Sequence, residues 1–263
     1  MKIDGRTFVV SGGASGLGQA TVEDLCHHGA YVAILDLNED LGNELIKSLP
    51  QGQAKFFACD VVDTESITAA VRGVVEWIHD TGKPMGGVIP AAGVGNPATI
   101  LDKHGDSMSL ESFDFVVNIN LRGTIDLVRQ CLVHLAKTEP AGNDEERGVI
   151  VMVSSVAAFD GQMGQVAYAA SKGAVASLTL PMTRDLARHG IRCMTIAPGV
   201  FESRMTALLP EKLFQGLTKV MEFPRRPGKP AEFAQTVRHV IENSMLNGTV
   251  IRLDGGLRMP SKI

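Results

Sequence analysis

Ser155, Tyr168 and Lys172 stand at spacings that suit acid–base chemistry. Tyr168 precedes Lys172 by four residues, so on a helix the two share a face one turn apart. A free phenol titrates at about pH 10 and is a poor acid or base near neutrality. An ammonium beside it favours the tyrosinate and brings it into use. Ser155 lies thirteen residues before the tyrosine, and a hydroxyl arriving from a preceding strand can hold a carbonyl oxygen next to the phenol. Ser154 is the neighbouring hydroxyl, but alternation along a strand end predicts that it faces the other way. A Tyr-x-x-x-Lys pattern also arises by chance, so the rest of the chain has to carry the assignment.

The second chemical feature is a glycine loop, Ser11-Gly12-x-x-x-Gly16-x-Gly18, placed between an N-terminal strand and the first helix. Glycines there permit a tight turn and let backbone N–H groups approach a diphosphate, whose charge sits on the helix N-terminus. A glycine-rich turn without a ligand is the plainer reading. Asp36 closes the second strand eighteen residues beyond Gly18, where a carboxylate can accept from an adenosine ribose. It would repel a 2′-phosphate, and no Arg or Lys at Gly13, Ala14 or Leu37 offsets it, so NAD is favoured over NADP. Asp60 follows the third strand and is placed to accept from an adenine amino group; a turn cap would look the same.

The elements that must position these groups alternate along the whole chain. Short apolar runs at Phe8–Ser11, Tyr31–Leu35, Phe56–Ala58, Val88–Ala91, Gly148–Val153, Ile191–Ala197 and Thr249–Leu253 read as strands covered on both faces. Helical patterns lie between them, the first over Gly16–His28, and the helix from Tyr168 carries Pro181, which should kink it. The expected fold is α/β: a doubly wound (Rossmann), mostly parallel seven-stranded sheet with helices on both faces. The 263 residues form one domain, 1–263, with a substrate-covering segment at about 200–223. Two long loops, 94–109 and 138–147, interrupt the rhythm.

Composition excludes several classes. A formal charge of −4 argues against a general nucleic-acid binder. No apolar run is long enough for a membrane span. Cys26, Cys59, Cys131 and Cys193 form no CxxC pair, and the seven histidines show no metal-ligand spacing, so no metal is expected. Reduced thiols and a strand at the very start, with no room for a leader, lean towards the cytoplasm, with the mitochondrial matrix as alternative.

SGGASGLG at 11–18, Asp36, Asp60-Val61, Ala92-Gly93, Asn120, Ser155, YAASK at 168–172, and Pro198-Gly199 followed by Ser203 together resemble the short-chain dehydrogenase/reductase family over nearly the whole length. The stretches 147–173, 191–212 and 247–259 are similar to its type-2 3-hydroxyacyl-CoA dehydrogenases, also called type-10 17β-hydroxysteroid dehydrogenases. That resemblance implies an NAD-dependent homotetramer, packed through helices around 109–136 and 166–189, that oxidises secondary alcohols on acyl-CoA thioesters and sometimes steroids. It implies catalytic roles for Ser155, Tyr168, Lys172 and Asn120, the last supporting a water chain to Lys172, with Asn118 as the competing candidate. It implies cofactor contacts from Gly12, Ser15, Gly16, Leu17, Gly18, Asp36, Leu37, Asp60, Val61, Ala91, Ala92, Gly93, Tyr168, Lys172, Pro198, Val200, Phe201 and Ser203. Three departures stand out: Pro90 replaces the Asn that normally braces backbone after the fourth strand, and Ser203 and Ser11 each replace a threonine.

On the substrate side, Ser155 and Tyr168 are joined by Gln162 and Gln165 as candidate polar contacts. Leu213, Phe214, Leu217, Val220 and Met221 form a helical apolar stripe that, with Met205, Leu208 and Leu209, would cover an apolar small-molecule substrate or pack as an ordinary helix. Lys103, His104, Arg225, Arg226 and Lys229 are candidate partners for coenzyme A phosphates, or solvated loop charges. The competing functions are a hydroxysteroid or other secondary-alcohol dehydrogenase, a 3-oxoacyl-carrier-protein reductase, and a non-catalytic NAD-binding scaffold.

Overall fold

The computed structural model describes residues 1–203 and 216–261. Seven strands form one sheet: β1 Thr7–Ser11, β2 Tyr31–Asp36, β3 Ala54–Ala58, β4 Met85–Pro90, β5 Gly148–Val153, β6 Ile191–Pro198 and β7 Val250–Leu253. Their order is β3-β2-β1-β4-β5-β6-β7, and every pair is parallel. The chain winds outward from β1 to β3, then crosses back to β4 on the other side of β1. That reversal opens a crevice beyond the carboxyl ends of β1 and β4, where ligands bind in sheets of this kind.

Successive strand residues feed opposite cores, which is why the strands read as unbroken apolar runs. Phe8, Val10, Val32, Ile34, Val149 and Val151 pack on one face, under α1 (Gly16–His27), α2 (Glu39–Ser48) and α7 (Pro230–Glu242). Val9, Ala33, Leu35, Val88, Ile150 and Met152 pack on the other, under α3 (Thr64–Thr81), α5 (Thr124–Leu135) and α6 (Val166–Leu186). α4 (Leu110–Val117) runs into α5 through a π-helical turn, Asn118–Gly123.

Two prolines sit at positions that bear on the local structure. Pro181 lies inside α6, which runs on to Leu186; the proline is exposed, so water can reach the carbonyl it leaves without a helical donor. Pro90 ends β4 in register with Ser11 of β1, and the pairing with β5 stops before it at Val88↔Ile150, so the missing N–H falls at the end of that ladder. The bracing assigned to an Asn at that position comes from Ser11, whose carbonyl accepts from Ala91 N at 3.1 Å and whose hydroxyl accepts from Ala92 N at 3.3 Å.

Candidate active site

The loop after β1 is shaped by close backbone approach. Gly12 has φ +63°, and a Cβ there would lie 2.9 Å from Ala92 N and Cα, so only glycine lets the loop lie against the turn that follows β4. A Cβ on Gly18 would collide with the Gly12 carbonyl, which fixes α1 tightly under the loop. Ser15 precedes α1 without a side-chain cap, and the first turn holds no acid, so its N–H groups are left for an outside acceptor. A cavity of about 300 Å³ opens there. Loop, uncapped helix and cavity fit the diphosphate of a dinucleotide.

The same cavity is lined by Gly12, Ser15, Gly16, Leu17, Gly18, Ala91, Ala92, Gly93, Ser155, Tyr168, Lys172, Pro198, Phe201 and Ser203, which joins the loop to the acid–base residues. Val153, Ser154 and Gly199 line it as well. The Ser154 side chain turns to α6, on the side of the sheet that Ile150 and Met152 face. Its hydroxyl donates to the Lys172 carbonyl at 2.7 Å and ties the end of β5 to the turn of α6 that carries Tyr168 and Lys172. Ser154 N still donates to Ile196 O at 2.8 Å, so the alternation of β5 carries through this residue.

Ser155 follows β5, and its Oγ accepts from Ala157 N at 3.1 Å while its side chain is hydrogen-bonded to Tyr168. Tyr168 is half-buried, whereas Lys172 is buried, with Nζ 5.9 Å from the tyrosine ring centroid. The ammonium donates to the Val153 carbonyl at 3.0 Å. Burial raises the Tyr168 pKa above its ordinary value, with the Ser155 hydrogen bond pulling the other way. Burial also pulls Lys172 down to about 8. In the free protein this loss of solvent opposes the acidification expected of the phenol from its neighbour. Loss of solvent acts on both groups and disfavours both charges.

Asn120 is fully buried. Its Oδ1 accepts from Val94 N at 2.8 Å, and its Nδ2 donates to Val94 O at 2.9 Å and Ser171 Oγ at 3.1 Å. A Cβ on Gly93 would lie 3.2 Å from Asn120 Oδ1 and 3.3 Å from Lys172 Nζ, so both side chains converge on this glycine. Asn118 is only half-buried.

Asp36, Leu37, Asp60 and Val61 lie outside the cavity lining, at and just beyond the carboxyl ends of β2 and β3 beside β1. Asp36 accepts from Ala14 N and Asn38 N, each at 3.0 Å, which locks the glycine loop to the end of β2. Asp60 accepts from Val62 N at 2.9 Å. The Val200 side chain packs with Val156, Leu217, Met221 and Leu257 instead of lining the cavity.

The two glutamines are occupied elsewhere. Gln162 donates to the Pro260 carbonyl at 2.9 Å, and Gln165 Oε1 accepts from Gln162 N at 3.0 Å; neither lines the cavity. They brace the loop before α6, against which the 94–109 insertion seats through Ala98 N to Gly164 O at 2.9 Å. Arg226 is paired with Glu232 at 2.6 Å, while Lys103, His104, Arg225 and Lys229 are exposed. Of the covering stripe, Leu217 and Met221 are buried, and Met205, Leu208, Leu209, Leu213 and Phe214 lie outside the described residues.

Among the described residues no cluster of three His, Cys, Asp or Glu could hold a metal, and no helix is long and apolar enough to cross a membrane. The family model for short chain dehydrogenases matches residues 6–213. The chain is 43% identical to the 3-hydroxyacyl-CoA dehydrogenase type-2 of Drosophila melanogaster over 258 residues, 98% of this chain and 99% of that one. It is 42% identical to the Homo sapiens protein of the same name over 260 residues, 98% and 97% of the two chains. A crystal structure of 3-hydroxyacyl-CoA dehydrogenase type-2 from Mycobacterium avium superposes with a TM-score of 0.91 at 34% identity, covering 98% of each chain. With the glycine loop, the Ser–Tyr–Lys constellation and the sheet that brings them together, this chain belongs to the short-chain dehydrogenase family, oxidoreductases that use a nicotinamide cofactor.

Proposed function

We propose that the protein is an NAD-dependent dehydrogenase of 3-hydroxyacyl-CoA thioesters. One observation carries this reading: Ser155, Tyr168 and Lys172 meet in the cavity into which the uncapped N-terminus of α1 opens. A nicotinamide dinucleotide, when bound, supplies the hydride acceptor or donor. Tyr168 takes the proton of the substrate hydroxyl in oxidation and returns it in reduction. Ser155, already bonded to Tyr168, donates to the substrate oxygen and holds it against the phenol. Lys172 and Asn120 keep the floor of the site polar and rigid through Val153, Val94 and Ser171. Burial keeps the free phenol protonated, which suits it to donate in the reducing direction. Asp36 at the end of β2 supports NAD over its 2′-phosphorylated form, with Asp60 and Val61 on the adenine. The acyl-CoA substrate follows from likeness to the dehydrogenases named above.

The test is turnover of acetoacetyl-CoA, a steroid ketone and simple ketones with NADH and NADPH. The reading stands if acetoacetyl-CoA with NADH is preferred and Tyr168→Phe lowers its rate by about 10²–10⁴ while NADH still binds. Preference for the steroid ketone assigns a hydroxysteroid dehydrogenase, and preference for NADPH a reductase. Binding without turnover would leave a scaffold.

The assembly we propose is a homotetramer. Leu110 and Phe115 on α4, Val133 on α5, and Val166 and Leu180 on α6 are exposed apolar side chains on the helices expected to pack together. A monomer by light scattering would refute it. The four buried, unpaired cysteines support a reducing compartment, cytoplasmic or the mitochondrial matrix.

A further inference from the structure

The π-helical turn Asn118–Gly123 reaches two parts of the cleft at once. A π turn holds more residues than an α turn and re-aims the side chains it carries. Through Asn120 it grips Val94 and Ser171 at the catalytic end. Its far end touches the loop that follows β3. A Cβ on Gly123 would lie 2.6 Å from the Val61 carbonyl oxygen and 3.0 Å from Val61 Cβ, so the loop rests directly on the backbone. Arg122 donates to the Val62 carbonyl and to Thr64 Oγ1, each at 3.1 Å. Thr64 in turn donates to Asp126 Oδ2 at 2.7 Å. Asp126 is buried on α5 and is also held by Gln130 at 2.9 Å and Arg129 at 2.7 Å.

The loop's own bonds are local: Val62 N to Asp60 Oδ1, Asp63 N to Asp60 O, and Asp60 N to Ser66 Oγ. These shape the turn, and Cys59 N to Asp36 O at 3.0 Å ties its start to the end of β2. Arg122 and the Thr64–Asp126 bond, with the contact at Gly123, hold the far side of the loop, Val61 to Thr64, against the π-helical turn and α5.

We propose that Arg122, Thr64 and Asp126 are positioning residues for the adenine end of the cofactor. This rests on the dinucleotide reading of the cleft given above. The roles of the turn divide by position, with Asn120 serving the reacting end and Arg122 and Gly123 the adenine end. Changes at Arg122 should then alter cofactor affinity and leave the chemistry alone.

The experiment compares wild type with Arg122→Met, Arg122→Lys and Gly123→Ala. It reads the affinity for 5′-AMP, which carries only the adenosine end, the KM for NADH, and kcat with its pH profile at saturating NADH. Arg122→Met should weaken AMP binding and raise the KM for NADH by about tenfold each, the loss expected for a charged hydrogen bond. Its kcat and pH profile should hold within about twofold. Arg122→Lys should recover part of the AMP affinity, since one donor remains. Gly123→Ala should show the same pattern by pushing Val61 outward. Unchanged AMP affinity in both Arg122→Met and Gly123→Ala overturns the proposal, as does a kcat loss matching the affinity loss, which a general loosening of the cleft would give. A wild-type protein that binds neither AMP nor NADH overturns the dinucleotide reading itself, an outcome distinct from a variant that binds as wild type does.

Discussion

Lys172 Nζ donates to the carbonyl oxygen of Val153 at 3.0 Å, so the ammonium is anchored to the last residue of β5 while lying 5.9 Å from the centroid of the Tyr168 ring. A single hydrogen bond inside a buried site does not replace the hydration of a full charge. Burial therefore draws this lysine down to about 8.

Stability should follow from that shift. The unfolded chain binds the lysine proton up to about pH 10.4, and the folded protein releases it near 8. Between these values the unfolded state holds more protons, so stability rises with pH. The cost of burying the charge is fully present below pH 8 and is relieved above it. Urea unfolding at pH 7 and pH 10 should show wild type gaining on Lys172→Met by about 2–3 kcal/mol across that window. Parallel curves for the two proteins would show that Lys172 does not titrate as a buried charge.

Asp36 is held by two backbone donors at the end of β2, which keeps its charge in a fixed place. A like charge at 4–6 Å is worth about 3–4 kcal/mol at surface-like dielectric and about 1 kcal/mol in bulk water. Asp36→Asn removes the charge and retains an acceptor. The ratio of kcat/KM for NADH over NADPH should fall by at least about tenfold. A ratio that does not move would place the ribose elsewhere.

Gly12 and Gly52 separate packing from backbone strain. Both have positive φ, but a Cβ on Gly12 would press on Ala92 at 2.9 Å, whereas one on Gly52 meets nothing within 4 Å. Gly52→Ala should cost about 1 kcal/mol and leave cofactor binding intact. Gly12→Ala should cost about 2–3 kcal/mol and weaken NADH binding as well. Equal thermal shifts for the two would argue against the close approach.

Cys26, Cys59, Cys131 and Cys193 are buried, and desolvation pushes each thiol up to about 12. The thiolate is the reactive form, so a disulfide reagent at pH 8 should leave the native protein unlabelled and titrate 4 thiols once urea is added. Labelling of the native protein at a rate near that of a free thiol would point to local opening.

What could be read from the chain alone were relations between residues close in sequence or repeated with a period. Tyr168 and Lys172 share a helix face by their spacing, Gly12 and Gly18 bracket a strand-to-helix turn, and apolar pairs such as Val9 and Val10 feed two cores because a strand alternates. Tertiary structure decided the contacts between residues far apart in the chain, for which no local period exists. Arg122 meets Val62 across 60 residues, Gln162 meets Pro260 across 98, and Ser154 reaches the Lys172 carbonyl across 18. The protonation of the site belongs to this second kind. Spacing puts a lysine beside a tyrosine, but the solvent removed around the pair determines which charge either can bear.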